Sequence, residues 1–201
     1  MTKPGGDDDE TAHFECVCQS HYTPMDKGAS PRGCQPPRQF MLFSQRGSIS
    51  RMNFDEASRE YGHDQILSIS DIVEPIALSW DEKNRRIYWL EVDNSIWSSD
   101  ESGHNKTQLN RGIEISARDF DIYHASSLIY WTNQLNDTIH LARLTADGIG
   151  VMLGGIGLDQ DDIVPDQIAI GSATGQIVFT NMCRDAGQTC ELIYKVFIFF
   201  T

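Results

Sequence analysis

Tyr130-Trp131-Thr132-Asn133 is the best-formed copy of an aromatic tetrad that occurs four times along the chain. The other copies are Leu42-Phe43-Ser44-Gln45, Tyr88-Trp89-Leu90-Glu91 and Val178-Phe179-Thr180-Asn181. The first residues of successive tetrads are 46, 42 and 48 positions apart. A period of this length predicts a radially repeated all-β array rather than a single-core enzyme fold.

Three residues recur at a fixed distance before the last three tetrads. Pro75, Ala117 and Pro165 each stand 13 residues before the first residue of a tetrad. Short β-branched and aromatic runs alternate with turn residues around them, which predicts up to four strands per repeat. The predicted strands are 40–43, 49–52 and 65–69, then 76–80, 86–90, 95–98 and 107–109, then 120–123, 128–132, 138–144 and 151–153, and finally 167–170 and 176–180. Such sheets, stacked through their aromatic residues, form the blades of a β-propeller.

Composition limits the classes of protein to consider. The chain has 201 residues, 40% of them apolar, which is enough for one repeat domain with a sizeable core and a small appendage. Its formal net charge is −13 and it has no basic stretch, which argues against binding nucleic acid. An acidic surface suits cationic partners, although it also serves plain solubility.

The first 38 residues differ from the rest of the chain. A Pro36-Pro37 pair ends a segment rich in Cys, Gly and Pro, and an alternating apolar sequence follows it. We therefore predict an acidic, polar N-terminal segment at 1–12, a small module at 13–38 and the repeat domain at 39–201.

The chain contains five cysteines, an awkward number for a fully paired secreted framework. Two local bridges, Cys18–Cys34 and Cys183–Cys190, would leave Cys16 alone. The alternative is a set of reduced thiols, since neither spacing makes a convincing zinc site.

The tetrads resemble the YWTD motif of the low-density lipoprotein receptor class B repeats. Phe14-Glu15-Cys16-Val17-Cys18, with Tyr22 and Cys34, resembles the last half of the EGF-like module that precedes such propellers. The resemblance covers roughly residues 13–195. It implies a six-bladed propeller, of which this chain supplies about four blades, and hence a fragment of a larger receptor.

The resemblance implies structural roles for the tetrads. Their aromatic residues would pack between blades, which repetition in register favours over a ligand-binding role. The fourth position is acidic in the family, and an amide or a longer carboxylate in its place can still accept backbone hydrogen bonds. The residues given these roles are Phe43, Tyr88, Trp89, Glu91, Tyr130, Trp131, Asn133, Phe179 and Asn181. Trp80 and Trp97 break the register, and one of them exposed on a propeller face would suit protein binding.

No motif for catalysis or cofactor binding is readable. The chain has no Gly-x-Ser-x-Gly elbow, no His-Glu-x-x-His and no phosphate-binding glycine loop. The acidic run at 159–162 offers oxygen ligands, but its spacing matches no calcium loop, and a solvated turn is favoured. We therefore expect no catalytic residue, no cofactor and no metal site.

Two sequons, Asn105-Lys106-Thr107 and Asn136-Asp137-Thr138, fall near predicted turns and are candidate glycosylation sites. The N-terminus has no apolar leader, and the apolar run at 192–200 is too short to cross a bilayer. We expect the chain to lie on the extracellular side of the plasma membrane or in endosomes, as part of a larger membrane receptor whose membrane attachment lies outside this sequence.

The resemblance implies a function in binding rather than chemistry. We expect the propeller region of a lipoprotein-receptor-like endocytic receptor that binds protein ligands, either lipoprotein-type or secreted signalling proteins. The alternatives are a Wnt co-receptor-like signalling role and a nidogen-like matrix interaction module. A propeller hydrolase would need carboxylates clustered around the central channel.

Overall fold

The structure, a computed structural model, describes residues 18, 23–24, 33–35, 39–55, 60–62, 64–133, 135–145, 147–156, 163–182 and 194–196. The chain divides into two compact units, Met1–Met41 with Met52–Asp64 and Leu42–Arg51 with Gln65–Thr201. Every helix or strand assigned in the described residues is a strand, which confirms the predicted all-β class.

Seventeen strands are assigned in chain order. They are β1 (Thr23–Pro24), β2 (Cys34–Gln35), β3 (Phe40–Gln45), β4 (Ser48–Asp55), β5 (Glu60–Tyr61), β6 (Gln65–Ile66), β7 (Pro75–Asp81), β8 (Arg86–Glu91), β9 (Ile96–Asp100), β10 (Thr107–Gln108), β11 (Ala117–Tyr123), β12 (Leu128–Asn133), β13 (Thr138–Thr145), β14 (Gly148–Ile156), β15 (Pro165–Ile170), β16 (Ile177–Asn181) and β17 (Tyr194–Val196). No helix long and apolar enough to cross a bilayer is found in this part of the chain.

The first unit contains the described part of the cysteine-rich segment. β1 and β2 pair antiparallel, and a disulfide joins Cys34 in β2 to Cys18. Cys16, Cys183 and Cys190 lie outside the described residues, and so does the second predicted bridge. The EGF-like assignment of residues 13–38 stays a prediction.

The second unit is a row of four blades. Blade 1 contains the parts of β3 and β4 that belong to this unit, together with β6, which pairs with β4. Blade 2 has the strand order β10-β9-β8-β7, blade 3 the order β11-β12-β13-β14, and blade 4 the order β15-β16-β17. The first strands of blades 2, 3 and 4 begin at Pro75, Ala117 and Pro165, the three residues that share a register in the sequence.

The tetrads lie in the second strand of each complete blade, where both sheet faces are covered. In β8, five of six residues are buried. Trp89 packs in a cluster with residues of blade 1, while Tyr88 and Leu90 on the opposite face pack in a cluster with residues of blade 3. Residues buried on both faces explain why this strand is nearly all apolar, whereas a half-buried strand would alternate.

Three apolar seams hold the blades together, one between each pair of neighbours. Trp131 lies in the seam between blades 2 and 3, whereas Tyr130 and Phe179 lie in the seam between blades 3 and 4. Trp89 and Trp131 are 0% and 1% exposed. Since burying one large apolar side chain contributes about 1.5–3 kcal/mol, these aromatic residues account for much of the attraction between sheets.

Gly148 shows why the turn between β13 and β14 needs glycine. Its φ is +133°, and a Cβ here would stand 2.4 Å from the carbonyl oxygen of Leu109 in the neighbouring blade. The close approach lets the N–H of Ile149 donate to that oxygen at 2.8 Å. The turn therefore joins blades 2 and 3 through the backbone.

Some sequence predictions of the strands were wrong in extent. The predicted strand 65–69 ends at Ile66, because the chain then turns and the N–H of Ile69 donates to the oxygen of Leu67. The predicted strand 151–153 extends over Gly148–Ile156, since glycines beside it allow two irregularities in register. Phe43 is only half-buried, unlike the aromatic residues at the same position in the later tetrads.

Candidate functional site

The fourth residue of a tetrad determines the hydrogen bonds made at one end of its blade. In blade 2, Oε1 of Glu91 accepts a hydrogen bond from Nε1 of Trp89 at 3.0 Å. Its Oε2 accepts a second, at 3.3 Å, from the backbone N–H of Val73 in the segment that enters the blade. Glu91 is 2% exposed, and its bond to Trp89 is buried, whereas its bond to the exposed Val73 is only partly buried. One carboxylate thus ties the tryptophan and the incoming chain together.

Asn181 likewise binds the chain that enters its blade, blade 4, whereas Asn133 in blade 3 does not bind the chain that enters blade 3. The Oδ1 of Asn181 accepts from the N–H of Val164, which enters blade 4, at 2.7 Å. The Oδ1 of Asn133 instead accepts from Leu135 in its own turn at 2.8 Å. Its amide nitrogen lies 3.3 Å from Nε2 of His140 on the next strand. The shorter amide side chain of Asn133 therefore bonds to its own turn and to the next strand of the same blade.

Trp131 is consequently left with a buried indole N–H that has no hydrogen-bond partner. The ring is 1% exposed and lies 5.6 Å from the ring of His140. An unpaired buried donor costs about 1–3 kcal/mol, a cost that an acceptor able to reach it would remove.

A pocket of about 330 Å³, here called the seam pocket, lies beside this tryptophan. It is lined by Asn94, Glu114, Ile115, Ser116, Trp131, Asn133, Leu135, His140 and Met152. Leu135 is 83% and Met152 41% exposed, which gives the pocket an apolar rim. Burial lowers the pKa of His140, which favours its neutral imidazole. Among the described residues that line the seam pocket there is no Lys or Arg, and Glu114 makes the pocket unfavourable for an anion.

The seam pocket defines the upper end of the blades. Asn94 in the β8–β9 turn and Leu135 in the β12–β13 turn both line it, so these turns lie at the same end. A second pocket of about 340 Å³ defines the lower end, where Asn84 in the β7–β8 turn and Ser127 in the β11–β12 turn come together.

The lower pocket holds polar groups that join blades 2 and 3. Nδ1 of His124 lies 3.5 Å from Oδ1 of Asp81, and Nη2 of Arg86 donates to Oγ of Ser98 at 2.7 Å. Burial, followed by the charge of Asp81, raises the pKa of Tyr88 in the pocket wall. The contact between His124 and Asp81 spans blades 2 and 3, although Nδ1 of His124 makes no hydrogen bond, whereas the bond between Arg86 and Ser98 lies within blade 2.

Two carboxylates of the inner strand β11 lie in the central cavity of about 550 Å³. Asp119 accepts from the N–H of Ile168 at 2.8 Å, and Asp121 accepts from that of Ile170 at 2.7 Å, so both bind the inner strand of blade 4. Asp121 also accepts from Oγ of Ser79 in blade 2 at 2.8 Å. Burial raises the pKa of Asp119 to about 6, against the hydrogen bonds from Ile168 and Phe120.

The two candidate glycosylation sites are both exposed. Asn136 lies in the β12–β13 turn at the upper end. Asn105 lies in the β9–β10 turn, and its Nδ2 donates to Oδ2 of Asp100 at 2.9 Å. Asp100 pairs with Arg86, which lines the lower pocket, so Asn105 belongs to the lower end.

Trp80 and Trp97 are half-buried and each faces a cation of the chain itself. The guanidinium of Arg85 lies 5.6 Å from the ring of Trp80, and Nζ of Lys106 lies 4.2 Å from that of Trp97. Lys106 also donates to the backbone oxygens of Ser70 and Asp71, both at 2.9 Å. These contacts occupy the aromatic faces that a partner would use.

Sequence reasoning missed the seam pocket. Glu114, Leu135, His140 and Met152 come from different segments and carry no motif. The residue that could have indicated the pocket was Asn133, an amide at a position that is acidic in the family. Whether such an amide leaves the indole N–H of Trp131 unpaired depends on the hydrogen bonds that Asn133 makes in its own turn. The described residues contain no group of three or more possible metal ligands, and the acidic run at 159–162 lies outside them.

Comparison with known proteins gives the family. No protein-family model matches the chain. Low-density lipoprotein receptor-related protein 5 of Mus musculus is 33% identical over 192 residues, which is 92% of this chain and 11% of that protein. The Homo sapiens protein of the same name is 33% identical over 184 residues, which is 89% of this chain and 10% of that protein.

The fold is also found in a solved structure. A chain in the crystal structure of a nidogen/laminin complex superimposes with a TM-score of 0.56 at 24% identity, covering 71% of this chain and 52% of that one. The present chain spans about a tenth of the length of the curated relatives, and its strand order and tetrads form part of a YWTD-type β-propeller. The chain belongs to the low-density lipoprotein receptor-related family and corresponds to a region of YWTD repeats in it.

Proposed function

We propose that this chain is an extracellular ligand-binding propeller region of a lipoprotein-receptor-like endocytic receptor, and that it binds protein ligands without chemistry. The observation that carries the proposal is the buried N–H of Trp131 beside the seam pocket. A residue with an unpaired buried donor that lines a pocket with an exposed apolar rim is suited to a side chain or loop that brings an acceptor on an apolar body. Sites that carry protein ligands have this combination of a polar anchor and apolar contact.

Binding is favoured over catalysis by the way the acidic groups are used. Asp119 and Asp121 in the central cavity each accept backbone hydrogen bonds from the neighbouring blade. A hydrolase would need such carboxylates directed at a substrate. Their position makes them part of the connection between blades, so the proposal assigns no catalytic residue.

The matrix role is a second candidate because of the structural similarity to a chain in a nidogen/laminin complex. It predicts that the ligand is laminin-like, whereas an endocytic receptor would bind lipoprotein particles and a signalling co-receptor would bind a Wnt protein. All three roles use the same propeller, and the ligand distinguishes them.

The test is a binding measurement on the full 201-residue chain, secreted from animal cells behind a heterologous signal peptide and then freed of any N-glycans with an endoglycosidase. Surface plasmon resonance would compare three purified probes: a laminin short-arm fragment, a Wnt protein and low-density lipoprotein. Two variants place the same charge at exposed positions of blade 3. Leu135→Asp alters the rim of the seam pocket, and Val151→Asp alters β14 outside its lining.

We expect one probe to bind and Leu135→Asp to weaken its affinity by about tenfold or more, since desolvated apolar contacts carry most of such energies. Val151→Asp should leave the affinity within about twofold. A chain that is folded by circular dichroism but binds none of the three probes would overturn the proposed function. Equal losses in both variants would move the binding site away from the seam pocket.

A further inference from the structure

The two sequons lie at opposite ends of the same pair of blades. Asn136 belongs to the upper end, with the seam pocket, and Asn105 to the lower end. Glycans attached at the two positions would therefore project from opposite faces. Only one of them could affect what reaches the seam pocket, which makes the pair a natural matched control.

Hydrogen bonds hold the described residues of the turn that carries Asn136. Its ends are the paired residues Asn133 and Thr138, and Asn133 also accepts the N–H of Leu135. The hydroxyl of Thr138, the third residue of the sequon, donates to Oδ1 of Asn136 at 2.6 Å. With the carbonyl side of the amide directed at Thr138, the nitrogen that would carry a glycan points to the other side. The attachment point is thus exposed, and the amide that carries it is hydrogen-bonded to the hydroxyl of Thr138.

The attachment point also adjoins the pocket. Leu135, the most exposed apolar side chain of the rim, is the residue directly before Asn136, so the two Cα atoms are about 3.8 Å apart. A glycan is bulky and strongly hydrated, and one anchored here would stand over Leu135 and compete with an apolar partner surface for the same space.

We propose that Asn136 is N-glycosylated and that its glycan covers the seam pocket, so that occupancy of this one site sets the affinity for protein ligands. The inference rests on the proposed function only in taking the seam pocket as the binding site. The glycan at Asn105, at the other end of the blades, leaves the pocket open. The form without a glycan at Asn136 is the form that binds.

The modification is a group transfer without oxidation or reduction. Nδ2 of Asn136 attacks the anomeric carbon of an oligosaccharide carried on a polyprenyl pyrophosphate, the donor used in the secretory pathway. A carbon–nitrogen bond forms and the carbon–oxygen bond to the pyrophosphate breaks. The lipid pyrophosphate leaves with the bonding electrons, and the amide nitrogen loses one proton to a base of the transferase.

The experiment uses a probe that does not depend on any natural ligand. A synthetic single-domain binder is selected against the full chain made without glycans, and is kept only if Leu135→Asp abolishes its binding while Val151→Asp does not. Its affinity is then measured for the chain secreted from animal cells and for the variants Asn136→Gln and Asn105→Gln. Glycopeptide mass spectrometry measures the occupancy of each sequon.

We expect occupied Asn136, and an affinity about tenfold or more weaker for the glycosylated chain than for Asn136→Gln. Asn105→Gln should bind as weakly as the glycosylated parent. Endoglycosidase trimming of the folded parent should restore binding, which avoids reliance on a variant that fails to fold. Thr138→Ala, which removes the sequon but keeps Asn136, provides a second check.

Two results would overturn the inference. One is an unoccupied Asn136 in secreted chain whose Asn105 is occupied. The other is equal affinity of the binder for the parent, the trimmed parent and Asn136→Gln. Both results are independent of the natural probes, so the glycan inference and the proposed function can fail separately. If a natural probe binds but the glycan has no effect on it or on the binder, only the inference fails.

Discussion

Blades 2 and 3 place a tryptophan at the same position of the second strand, and the two rings have different surroundings. Trp89 donates to Glu91, which also holds the incoming chain at Val73. Trp131 has no partner, because Asn133 bonds within its own turn. Glu91 and Asn133 differ by one methylene and one charge. With Glu91 the tryptophan and the incoming chain are joined at the blade end, here called the closed end, whereas with Asn133 the blade end has a pocket.

The largest effect should come from breaking the closed end. Glu91→Ala leaves the N–H groups of Trp89 and Val73 without their acceptor, and the first of these is fully buried. We expect a loss of about 3 kcal/mol in the free energy of unfolding, measured by urea denaturation. Asn133→Ala is the control and should lose less than about 1 kcal/mol. Equal losses would mean that the two blade ends do not differ.

A pair of conservative variants isolates the indole N–H. Trp89→Phe and Trp131→Phe remove similar volume from buried sites, but only the first leaves a buried carboxylate oxygen of Glu91 without its donor. We expect Trp89→Phe to destabilise the chain by about 2 kcal/mol more than Trp131→Phe, in the same urea measurement. A smaller loss in Trp89→Phe would show that Trp131 has a partner in solution.

Sequence reasoning reached the blades because their signal is local and repeated. The tetrads, and the residues 13 positions before them, mark the second and first strands, since packing on both faces demands aromatic and β-branched residues there. It could not reach the seam pocket, which depends on how Asn133 is used and on contacts between residues far apart in sequence. The extent of β14 was also missed, because its register irregularities depend on glycine conformation.

The inner strands show the same contrast between blades at a smaller scale. Asp119 in β11 occupies the position that Ala77 has in β7, two residues after the aligned strand start. Burial raises the pKa of Asp119 from 3.8 to about 6, so the folded chain retains a proton there that the unfolded chain releases. This carboxylate therefore lowers stability progressively as the pH rises from about 4 through 6.

Asp119→Asn removes that dependence while keeping an oxygen for the N–H of Ile168. We expect the variant to gain about 1 kcal/mol over the parent at pH 7.5 and to match it, or fall below it, at pH 4.5, measured by thermal unfolding at both values. Ala77→Ser, at the equivalent position of blade 2, should show no such pH dependence. A constant difference between Asp119→Asn and the parent would contradict the raised pKa.

The variant Asn133→Glu gives blade 3 the residue that blade 2 has at the fourth tetrad position, Glu91. In Asn133→Glu the longer carboxylate can reach Nε1 of Trp131, as Glu91 reaches Trp89 two residues before it. Against this gain stand the lost bonds of Asn133 to Leu135 and His140 and the added charge beside Glu114, so we expect a net gain of only about 0.5 kcal/mol in urea unfolding. Because the side chain then occupies the base of the seam pocket, the same variant should weaken ligand binding by about tenfold despite its stability. Asn133→Gln, uncharged and of the same length, separates the effect of length from that of charge: it should keep the stability gain and also block the pocket. A variant that is more stable yet binds normally would show that the N–H of Trp131 does not take part in binding.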